Sequence, residues 1–354
     1  MTSASWRATL LPLAWGFGAV TGLRNRWYDA GLLREHEVGV PVVSVGNLVA
    51  GGTGKTPCVE YLARHLLRTV PRLAVVSRGY GRRSRGVQVV SRGEGEPLNA
   101  HLGGDEPVQM ARKFPGLVVV VGEDRVAAAR HAVDELGAAA LVLDDGYQHR
   151  SLGRECNLLL LDARRSIAEE PMLPAGNRRE PRSGMARADM VVFTKLPAER
   201  DSVPWESELR RWYRGPVAYS RMVTDGIYRA ADLRKVAPLP GRSCVAFSGI
   251  ADHEGFVGGL RSLGLEVIGQ RSYADHHRYD EGDIERLERE LRRSRADLLI
   301  TTEKDLMRLM ADGGLRRRAC QELPLFYVGV DLKVVKGEEE LLAVVDRAVS
   351  RSAA

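Results

Sequence analysis

A glycine-rich segment that follows a short apolar run carries the strongest chemical signal in the chain. The run at residues 42–45 leads into Gly51, Gly52, Thr53, Gly54, Lys55 and Thr56. Glycines let backbone N–H groups wrap phosphate oxygens, and the N-terminus of a following helix adds a favourable dipole. Lys55 would then reach the β- and γ-phosphates of a nucleoside triphosphate, and the Thr56 hydroxyl would bind Mg²⁺. The segment predicts a phosphate-binding loop (P-loop), although Val49 replaces the usual first glycine; a glycine-rich turn without a ligand is the alternative.

Two consecutive aspartates end a second apolar run. Asp144 and Asp145 follow the run at residues 141–143 and precede Gly146. In P-loop enzymes, an acid at the end of a neighbouring strand supports the metal ion. The pair therefore predicts metal or nucleophile chemistry, and a plain turn after a strand is the alternative.

A third acidic segment, Gly104-Asp105-Glu106-Pro107, precedes a helical pattern. Asp105 is a candidate functional acid in this position. It could equally be the N-cap of the helix, with Pro107 in the first turn. The spacing alone does not separate the two interpretations.

Two polar segments have structural explanations that are as simple as the functional ones. The basic segment at residues 77–83, which includes Arg78 and Tyr80, follows an apolar run. It could lie near the phosphates or form a solvated turn. The Asp-His-His segment at residues 275–277 has metal-ligand residue types but no third ligand at close spacing, so a surface histidine pair is the alternative to a site.

The N-terminus contains sixteen uncharged residues at positions 8–23, with arginines on both sides. A spanning helix needs roughly 20 apolar residues, so this run is short for crossing a bilayer. Trp6, Leu10, Leu13 and Phe17 are spaced to share one helical face. Aromatic and basic residues beside such a face are typical of a helix that lies in a membrane interface. Packing on the protein's own core is the alternative, and a signal peptide is disfavoured because no small-x-small cleavage site ends the run.

Short β-rich runs alternate with amphipathic stretches along most of the chain. Near-continuous apolar strands that alternate with helices predict a parallel sheet with helices on both faces. A polar stretch at residues 197–240 interrupts the pattern. The sequence thus predicts an α/β fold with three regions: an N-terminal membrane-contacting helix at 1–36, a P-loop domain at 37–215, and a smaller α/β domain at 216–354.

The composition is that of an ordinary globular protein, with 44% apolar and 28% charged residues. The four cysteines are far apart without a C-x-x-C pair, which favours a reducing compartment and neither a zinc site nor a disulfide framework. A net charge of +6 favours an anionic partner. Aromatic residues make up only 6% of the chain and do not alternate with basic ones, so nucleic acid is the weakest candidate partner.

Together these motifs resemble the tetraacyldisaccharide 4′-kinase family, the lipid A 4′-kinases of Gram-negative bacteria. The resemblance extends from the N-terminal helix to about Leu309. Each motif alone has low specificity, but their order along the chain is highly specific. The motifs are Gly46-Asn47, residues 51–57, Ser77-Arg78-Gly79-Tyr80-Gly81, Gly104-Asp105-Glu106-Pro107, Asp144-Asp145-Gly146-Tyr147-Gln148-His149, Leu173-Pro174-Ala175-Gly176, Thr194-Lys195 and Thr302-Glu303-Lys304-Asp305.

The resemblance implies an enzyme that uses ATP and Mg²⁺ to phosphorylate the 4′-hydroxyl of a tetraacylated glucosamine disaccharide 1-phosphate. It also implies peripheral binding at the cytoplasmic face of the inner membrane, and no nucleic-acid or protein partner is expected. By likeness, Asp105 would be the catalytic base and His276 its partner from the second domain, with Lys55 and Asp144 completing the catalytic set. Nucleotide contacts would come from the P-loop residues and from Arg78, Tyr80, Asp145, Gln148 and His149. Metal contacts would come from Thr56, Asp144, Asp145 and Glu180.

The expected chemistry agrees with these roles. A sugar hydroxyl has a high pKa, so a carboxylate must accept its proton while cations stabilise the developing charge. A base and a partner from different domains would make catalysis depend on domain closure.

Two other classes of protein share some of these features. A membrane-associating regulatory ATPase would have the loop and the helix but no need for an acid such as Asp105. A GTPase is disfavoured because residues 194–197 lack the aspartate that recognises guanine. Transfer of phosphate from ATP to a lipid would distinguish a kinase from the ATPase.

Overall fold

The computed structural model describes residues 5–351, with side chains for residues 9–350, and these residues form alternating helices and strands. The helices are α1 (Ser5–Asp29), α2 (Lys55–Leu66), α3 (Ala100–Gly103), α4 (Asp105–Lys113), α5 (Arg125–Asp134), α6 (Glu206–Leu209), α7 (His253–Ser262), α8 (Glu281–Ser294), α9 (Glu303–Met310), α10 (Gly313–Leu315) and α11 (Glu338–Arg351). A 3₁₀-helix covers Arg182–Arg187 and a π-helical segment covers Arg316–Glu322.

The strands are β1 (Val42–Asn47), β2 (Leu73–Ser77), β3 (Gln88–Arg92), β4 (Val118–Val121), β5 (Ala140–Asp144), β6 (Cys156–Asp162), β7 (Met190–Thr194), β8 (Val217–Arg229), β9 (Ser243–Ser248), β10 (Glu266–Ser272), β11 (Leu298–Thr302) and β12 (Leu325–Lys336). The α/β class predicted from the sequence is confirmed. All four cysteines are buried as free thiols.

The chain folds into two compact units, neither of which is a single continuous segment. The first unit comprises Met1–Arg78, Gly116–Met222 and Leu332–Ala354, and the second comprises Gly79–Pro115 and Val223–Asp331. The sequence-based boundaries at residues 37 and 216 assume a linear division, whereas residues 79–115 group with the second unit. Asp105 lies in that segment. It therefore belongs to the same unit as His276 and not to the unit that contains the P-loop.

The first unit is built on a parallel sheet. Its strands follow the order β8, β7, β6, β1, β5, β2, β4, and the printed registers between neighbours are all parallel. Strands such as Val118–Val121 are wholly buried, as expected where helices cover both faces of a sheet. The register pairs Val45 of β1 with Asp144 of β5. The carboxyl ends of β1 and β5, where the sequence motifs lie, therefore meet at one edge.

The second unit contains a smaller parallel arrangement of strands in the order β10, β9, β11, β12. Helix α8 begins at a capping box in which the Asp280 side chain accepts from the backbone of Asp283, which satisfies free N–H groups at the helix start. Helix α9 follows β11 directly and is capped by Thr302, whose hydroxyl accepts from the Asp305 N–H. This cap fixes the start of α9 at the end of a buried strand.

Helix α1 has one face packed on the protein and another exposed. Ala14, 2% exposed, packs with Met172 and Ala175, and Leu10 packs against them. On the other side of the helix, Leu13 and Val20 are 61% and 68% exposed. No helix in the described residues is long and apolar enough to span a membrane.

The predicted apolar face of α1 is therefore divided between the two environments. Leu10 belongs to the packed side, because it contacts the cluster around Ala14. Leu13 and Phe17 are exposed, as the interfacial interpretation requires. The side chain of Trp6 lies outside the described residues. Contact of the exposed face with a membrane stays a prediction.

Candidate active site

The glycine-rich segment forms a turn between β1 and α2. Gly51 and Gly54 have φ angles of 116° and 80°, a left-handed region that favours glycine because it has no Cβ. Gly54 is the N-cap of α2 and makes no side-chain cap hydrogen bond. The first N–H groups of α2 thus receive no side-chain cap from Gly54, which is the arrangement that binds an anion.

Neighbouring segments hold this turn in place. The Asn47 amide donates to the Thr53 hydroxyl at 2.7 Å, and the Thr194 hydroxyl donates to the Thr53 carbonyl at 2.7 Å. The Ala50 N–H donates to the Asn177 carbonyl at 2.7 Å. These contacts fix the loop backbone from three different parts of the first unit.

The position of Val49 explains why the usual first glycine is dispensable. Val49 forms an antiparallel bridge with Arg178 and packs against the hydrophobic core beside Leu48. It is not among the residues with positive φ. A paired and partly buried position favours a β-branched residue, so the loop begins at an isolated β-bridge where glycine is not required.

Cations converge on the acidic residue that follows β5. Lys55 Nζ lies 3.7 Å from Asp145 Oδ1, and Arg179 Nη1 donates to both Asp145 oxygens at 2.9 Å. Burial raises the pKa of Asp145, but the charges of Lys55 and Arg179 outweigh it, so this pKa lies below the ordinary value. Lys195 contacts the Gly52 carbonyl on the other side of the turn.

The two aspartates after β5 have different environments. Asp144 ends the strand, is 3% exposed, and accepts from the Ser77 hydroxyl at 2.8 Å. Asp145 has a φ of 51°, an uncommon conformation for a non-glycine residue, and its side chain turns to the cations. Asp144 is therefore a buried acceptor next to β1, and Asp145 is a partner of the loop lysine.

Gln148 and Glu180 contact each other in the first unit, which also contains His149. Gln148 donates to the Asn47 carbonyl at 2.9 Å and to Glu180 at 2.7 Å. Burial, followed by the charge of Arg125, lowers the pKa of His149 to about 4, which keeps its imidazole neutral at neutral pH.

Glu180 is completely buried and joins several elements. It accepts from Gln148, from Asn25 of α1 at 2.7 Å and from Arg187 at 2.9 Å. Both carboxylate oxygens are engaged by these donors, so the predicted metal role of Glu180 would require displacing one of them. Across residues 5–351 no group of three His, Cys, Asp or Glu side chains is arranged to hold a metal ion.

A second cluster, in the second unit, surrounds Asp105, which is the first residue of α4. Gly104 is the N-cap position, so Asp105 is not the N-cap that its spacing allowed. The φ of Gly104 is 87°, and a Cβ there would lie 3.1 Å from Gly79. The close approach of these two glycines places residues 79–81 against the start of α4.

His276 lies beside Asp105, and Tyr80 lies beside His276. His276 Nδ1 is 3.7 Å from Asp105 Oδ2, and the rings of Tyr80 and His276 are 5.3 Å apart. Tyr80 thus belongs to this cluster, whereas Arg78 lies in the first unit and is exposed. The neighbouring His277 contacts Asp283 at 2.8 Å and stacks on Tyr273 at 4.5 Å, so the two histidines have separate roles.

Sequence reasoning missed the cation that contacts Asp105 directly. Arg308 Nε donates to Asp105 Oδ2 at 2.7 Å. Arg308 follows Asp305 by three residues, a spacing that places both on one face of a helix and predicts a pair between them, but no pattern in the sequence links Arg308 with Asp105. Arg179 was missed as well, although it follows the Leu173–Gly176 motif closely.

Comparison with known proteins agrees with this geometry. The sequence pattern of the tetraacyldisaccharide-1-P 4′-kinase family matches residues 6–350. The chain is 39% identical over 342 residues to a tetraacyldisaccharide 4′-kinase of Anaeromyxobacter sp. (strain K), covering 94% of this chain and 88% of that one. It is 41% identical over 308 residues to one from Syntrophotalea carbinolica, covering 85% of this chain and 83% of that one.

A solved structure is similar over the whole length. The crystal structure of the "apo" form of LpxK from Aquifex aeolicus in complex with ATP has a TM-score of 0.77 and 32% identity, and the match covers 97% of this chain and 99% of that one. The resemblance seen in the sequence is thereby confirmed. This chain is a kinase and belongs to the tetraacyldisaccharide-1-P 4′-kinase family.

Proposed function

We propose that this chain transfers the γ-phosphate of ATP to the 4′-hydroxyl of a tetraacylated glucosamine disaccharide 1-phosphate. Membership of this kinase family is the observation that carries the proposal. The two cations beside Asp145, Lys55 and Arg179, support it. The related protein from Aquifex aeolicus was crystallised with ATP, which supports ATP as the nucleotide.

The P-loop residues bind the triphosphate in this proposal. The backbone N–H groups at the start of α2 bind the phosphates, and Lys55 exchanges its contact with Asp145 for phosphate oxygens. Arg179 already holds Asp145 at 2.9 Å, so the aspartate keeps a partner when Lys55 moves. The cations that balance the phosphate charge therefore lie beside the loop before ATP binds.

Mg²⁺ fits the oxygen donors that are present. Thr56 lies in the first turn of α2 and is 5% exposed, and Asp144 ends β5 with its carboxylate buried. Hydroxyl and carboxylate oxygens are the donors that Mg²⁺ prefers, together with phosphates and water. These two residues would hold it, and the ion would supply charge that stabilises the transferred phosphate.

Asp105 accepts the proton of the acceptor hydroxyl. A carboxylate at the start of a helix is stabilised by the helix dipole. Burial raises the pKa of Asp105, but the neighbouring His276 and the charge of Arg308 outweigh burial, so the pKa lies below its ordinary value. Asp105 is therefore ionised and able to accept at every pH near neutrality.

The acceptor and the membrane bind at helix α1. A cavity of about 410 Å³ is lined by Ala14, Trp15, Gly18, Met172, Arg178, Pro181, Arg182, Ser183 and Trp212. Two arginines and two tryptophans suit a lipid that carries a phosphate. The exposed apolar face of α1 lies on the same helix and contacts the bilayer, at the cytoplasmic face of the inner membrane.

Transfer of radiolabel from [γ-³²P]ATP to the tetraacylated disaccharide 1-phosphate tests the proposal. We expect a labelled lipid bisphosphate whose formation requires Mg²⁺. Release of labelled inorganic phosphate without a labelled lipid would instead indicate a regulatory ATPase. The same reaction with the 4′-deoxy acceptor should give no labelled lipid.

A further inference from the structure

The contacts of Asp105 include a buried arginine, Arg308, that holds one of its two carboxylate oxygens. Arg308 is 7% exposed and donates from Nε to Asp105 Oδ2 at 2.7 Å. His276 Nδ1 is 3.7 Å from the same oxygen, which is longer than a hydrogen bond. Arg308 Nη2 also approaches His276 Nδ1 at 3.3 Å. Arg308 is thus the direct partner of Asp105 and also contacts the histidine.

Arg308 is itself held in a single orientation. Its Nη1 donates to Asp305 Oδ1 and to the Gly249 carbonyl, both at 2.8 Å. Asp305 is completely buried and also accepts from the Tyr279 hydroxyl at 3.0 Å and from the Thr302 hydroxyl at 2.6 Å. A planar guanidinium with both ends fixed has little freedom, so its Nε position is set by the core of the second unit.

The two oxygens of Asp105 are therefore not equivalent. Oδ2 receives Arg308 and faces His276, whereas within the described part of the chain Oδ1 takes no hydrogen bond. A carboxylate oxygen has lone pairs that remain available when its twin is engaged. Oδ1 is the oxygen that can meet an incoming hydroxyl.

We propose that Arg308 is the positioning residue for Asp105: it ties down Oδ2 so that Oδ1 faces the acceptor hydroxyl. The inference rests on the proposed function. In the transfer step the acceptor oxygen bonds to the γ-phosphorus, the bond from that phosphorus to the bridging oxygen breaks, and ADP leaves. The hydroxyl proton moves to Asp105 Oδ1. Because phosphoryl transfer depends mainly on positioning, a fixed carboxylate matters more here than a strongly basic one.

Other charged groups near Asp105 do not duplicate this contact. Lys304 is paired with Glu106, and its charge acts on Asp105 only through space. His101 also acts through space, and its own pKa is lowered by burial and by the charge of Arg83. Arg308 is the group among these that both touches Asp105 and is anchored by a buried carboxylate.

The first test is the pH dependence of kcat in Arg308→Met. Without the guanidinium, burial acts on Asp105 with less opposition, so its pKa rises and the carboxylate is protonated at a higher pH. We expect the acidic limb of the kcat profile to move up by roughly 1–3 pH units, with KM for ATP unchanged. An unmoved acidic limb in an active, folded variant would overturn the proposal.

A second variant guards against loss of folding, because removing a buried cation leaves Asp305 without its partner. Arg308→Lys keeps the charge but cannot bridge Asp105, Asp305 and the Gly249 carbonyl together. We expect kcat to fall roughly 10- to 100-fold through misplacement of the carboxylate, with the acidic limb close to that of the unmodified protein. Wild-type kcat in Arg308→Lys would contradict a positioning role.

The matched control is Arg318→Met, also in the second unit, where Arg318 pairs with Glu281 and Glu288 on α8. It should leave kcat and its pH profile unchanged.

A double variant completes the test. Arg308→Met with Asp105→Asn should be no slower than Asp105→Asn alone, because Arg308 acts through Asp105. Losses that multiply would overturn the inference. Full activity of Asp105→Asn would instead refute the role of Asp105 in the proposed function.

Discussion

At the scale of single residues, the P-loop lysine is held ready by a contact that it must give up. Lys55 has 15% of its side chain exposed and lies 3.7 Å from Asp145 and 3.5 Å from the Gly51 carbonyl. It has no role in a hydrophobic core, so its removal should affect phosphate binding and not folding. We expect Lys55→Ala to lose at least 100-fold in kcat/KM for ATP (roughly 3 kcal/mol of transition-state stabilisation).

The control for Lys55→Ala is Lys333→Ala, which removes the same charge from an exposed position of the first unit. Melting curves should be alike for both variants and the unmodified protein. Phosphate transfer by Lys55→Ala at the normal rate would refute the assignment of this loop.

The second prediction at this scale separates chemistry from nucleotide binding. Asp105→Ala should lower kcat by roughly 10²–10⁴-fold, the usual range for a general base. In our proposal Asp105 acts on the acceptor hydroxyl and not on the nucleotide, so the affinity for ATP should change little. Equilibrium binding of a fluorescent ATP analogue measures this. A collapse of nucleotide binding would show that Asp105 serves the nucleotide, with Asp144 next in line as the base.

At the scale of elements, helix α1 performs two tasks with its two faces. Its packed face includes Leu10 and Ala14, and Asn25 donates to Glu180 at 2.7 Å. Its exposed face includes Leu13, Phe17 and Val20. We expect replacement of these three by serine to release the protein from anionic vesicles while melting and activity on a micellar acceptor are largely kept.

Leu10→Ser is the contrasting variant for this helix. It should lower the melting temperature, because it removes packing against Ala14 and Met172, yet still pellet with vesicles. If the triple serine variant melts early and still binds vesicles, the exposed face does not contact the membrane. Sedimentation and melting curves measured side by side decide the matter.

The same scale shows what a sequence can and cannot predict. The strands β1, β2, β4 and β5 are predictable because each is a compact apolar run, as in Val118–Val121. The contact between Asp105 and Arg308 could not be predicted from the sequence, because the two residues are 203 positions apart. The local sequence pattern does not show which turn of α9 packs against which turn of α4. The P-loop could be predicted because the residues that bind phosphate are adjacent in the sequence.

At the scale of the whole molecule, the first unit is assembled from three separate stretches of chain. The sequence offers no linear boundary for such a unit, because a contact between distant segments leaves no local composition change. No motif named in the sequence marks helix α11 either. Its Leu341 and Val345 are completely buried, so it is part of the core of the unit that carries the P-loop.

Helix α11 contacts the helix that follows the P-loop. The Tyr61 hydroxyl of α2 donates to Glu338 at 2.7 Å, and His65 of α2 meets Asp346 at 2.7 Å. Stability of the nucleotide-binding unit should therefore depend on a helix almost 300 positions from Lys55 in the sequence. We expect Leu341→Ala to destabilise the protein by roughly 2–5 kcal/mol, the usual cost of truncating a buried leucine.

Kinetic and ATP-binding measurements on Leu341→Ala show whether the variant loses stability alone or activity as well. Because Leu341 touches no substrate in our proposal, kcat at low temperature should be close to normal, and saturating ATP should restore part of the lost melting temperature through binding to the folded state. Glu339→Ala, at an exposed position of the same helix, should change neither quantity. Denaturant unfolding with and without ATP measures both effects. If Leu341→Ala has the same free energy of unfolding as Glu339→Ala, α11 contributes little to the stability of the first unit. The core of that unit would then be stable without α11.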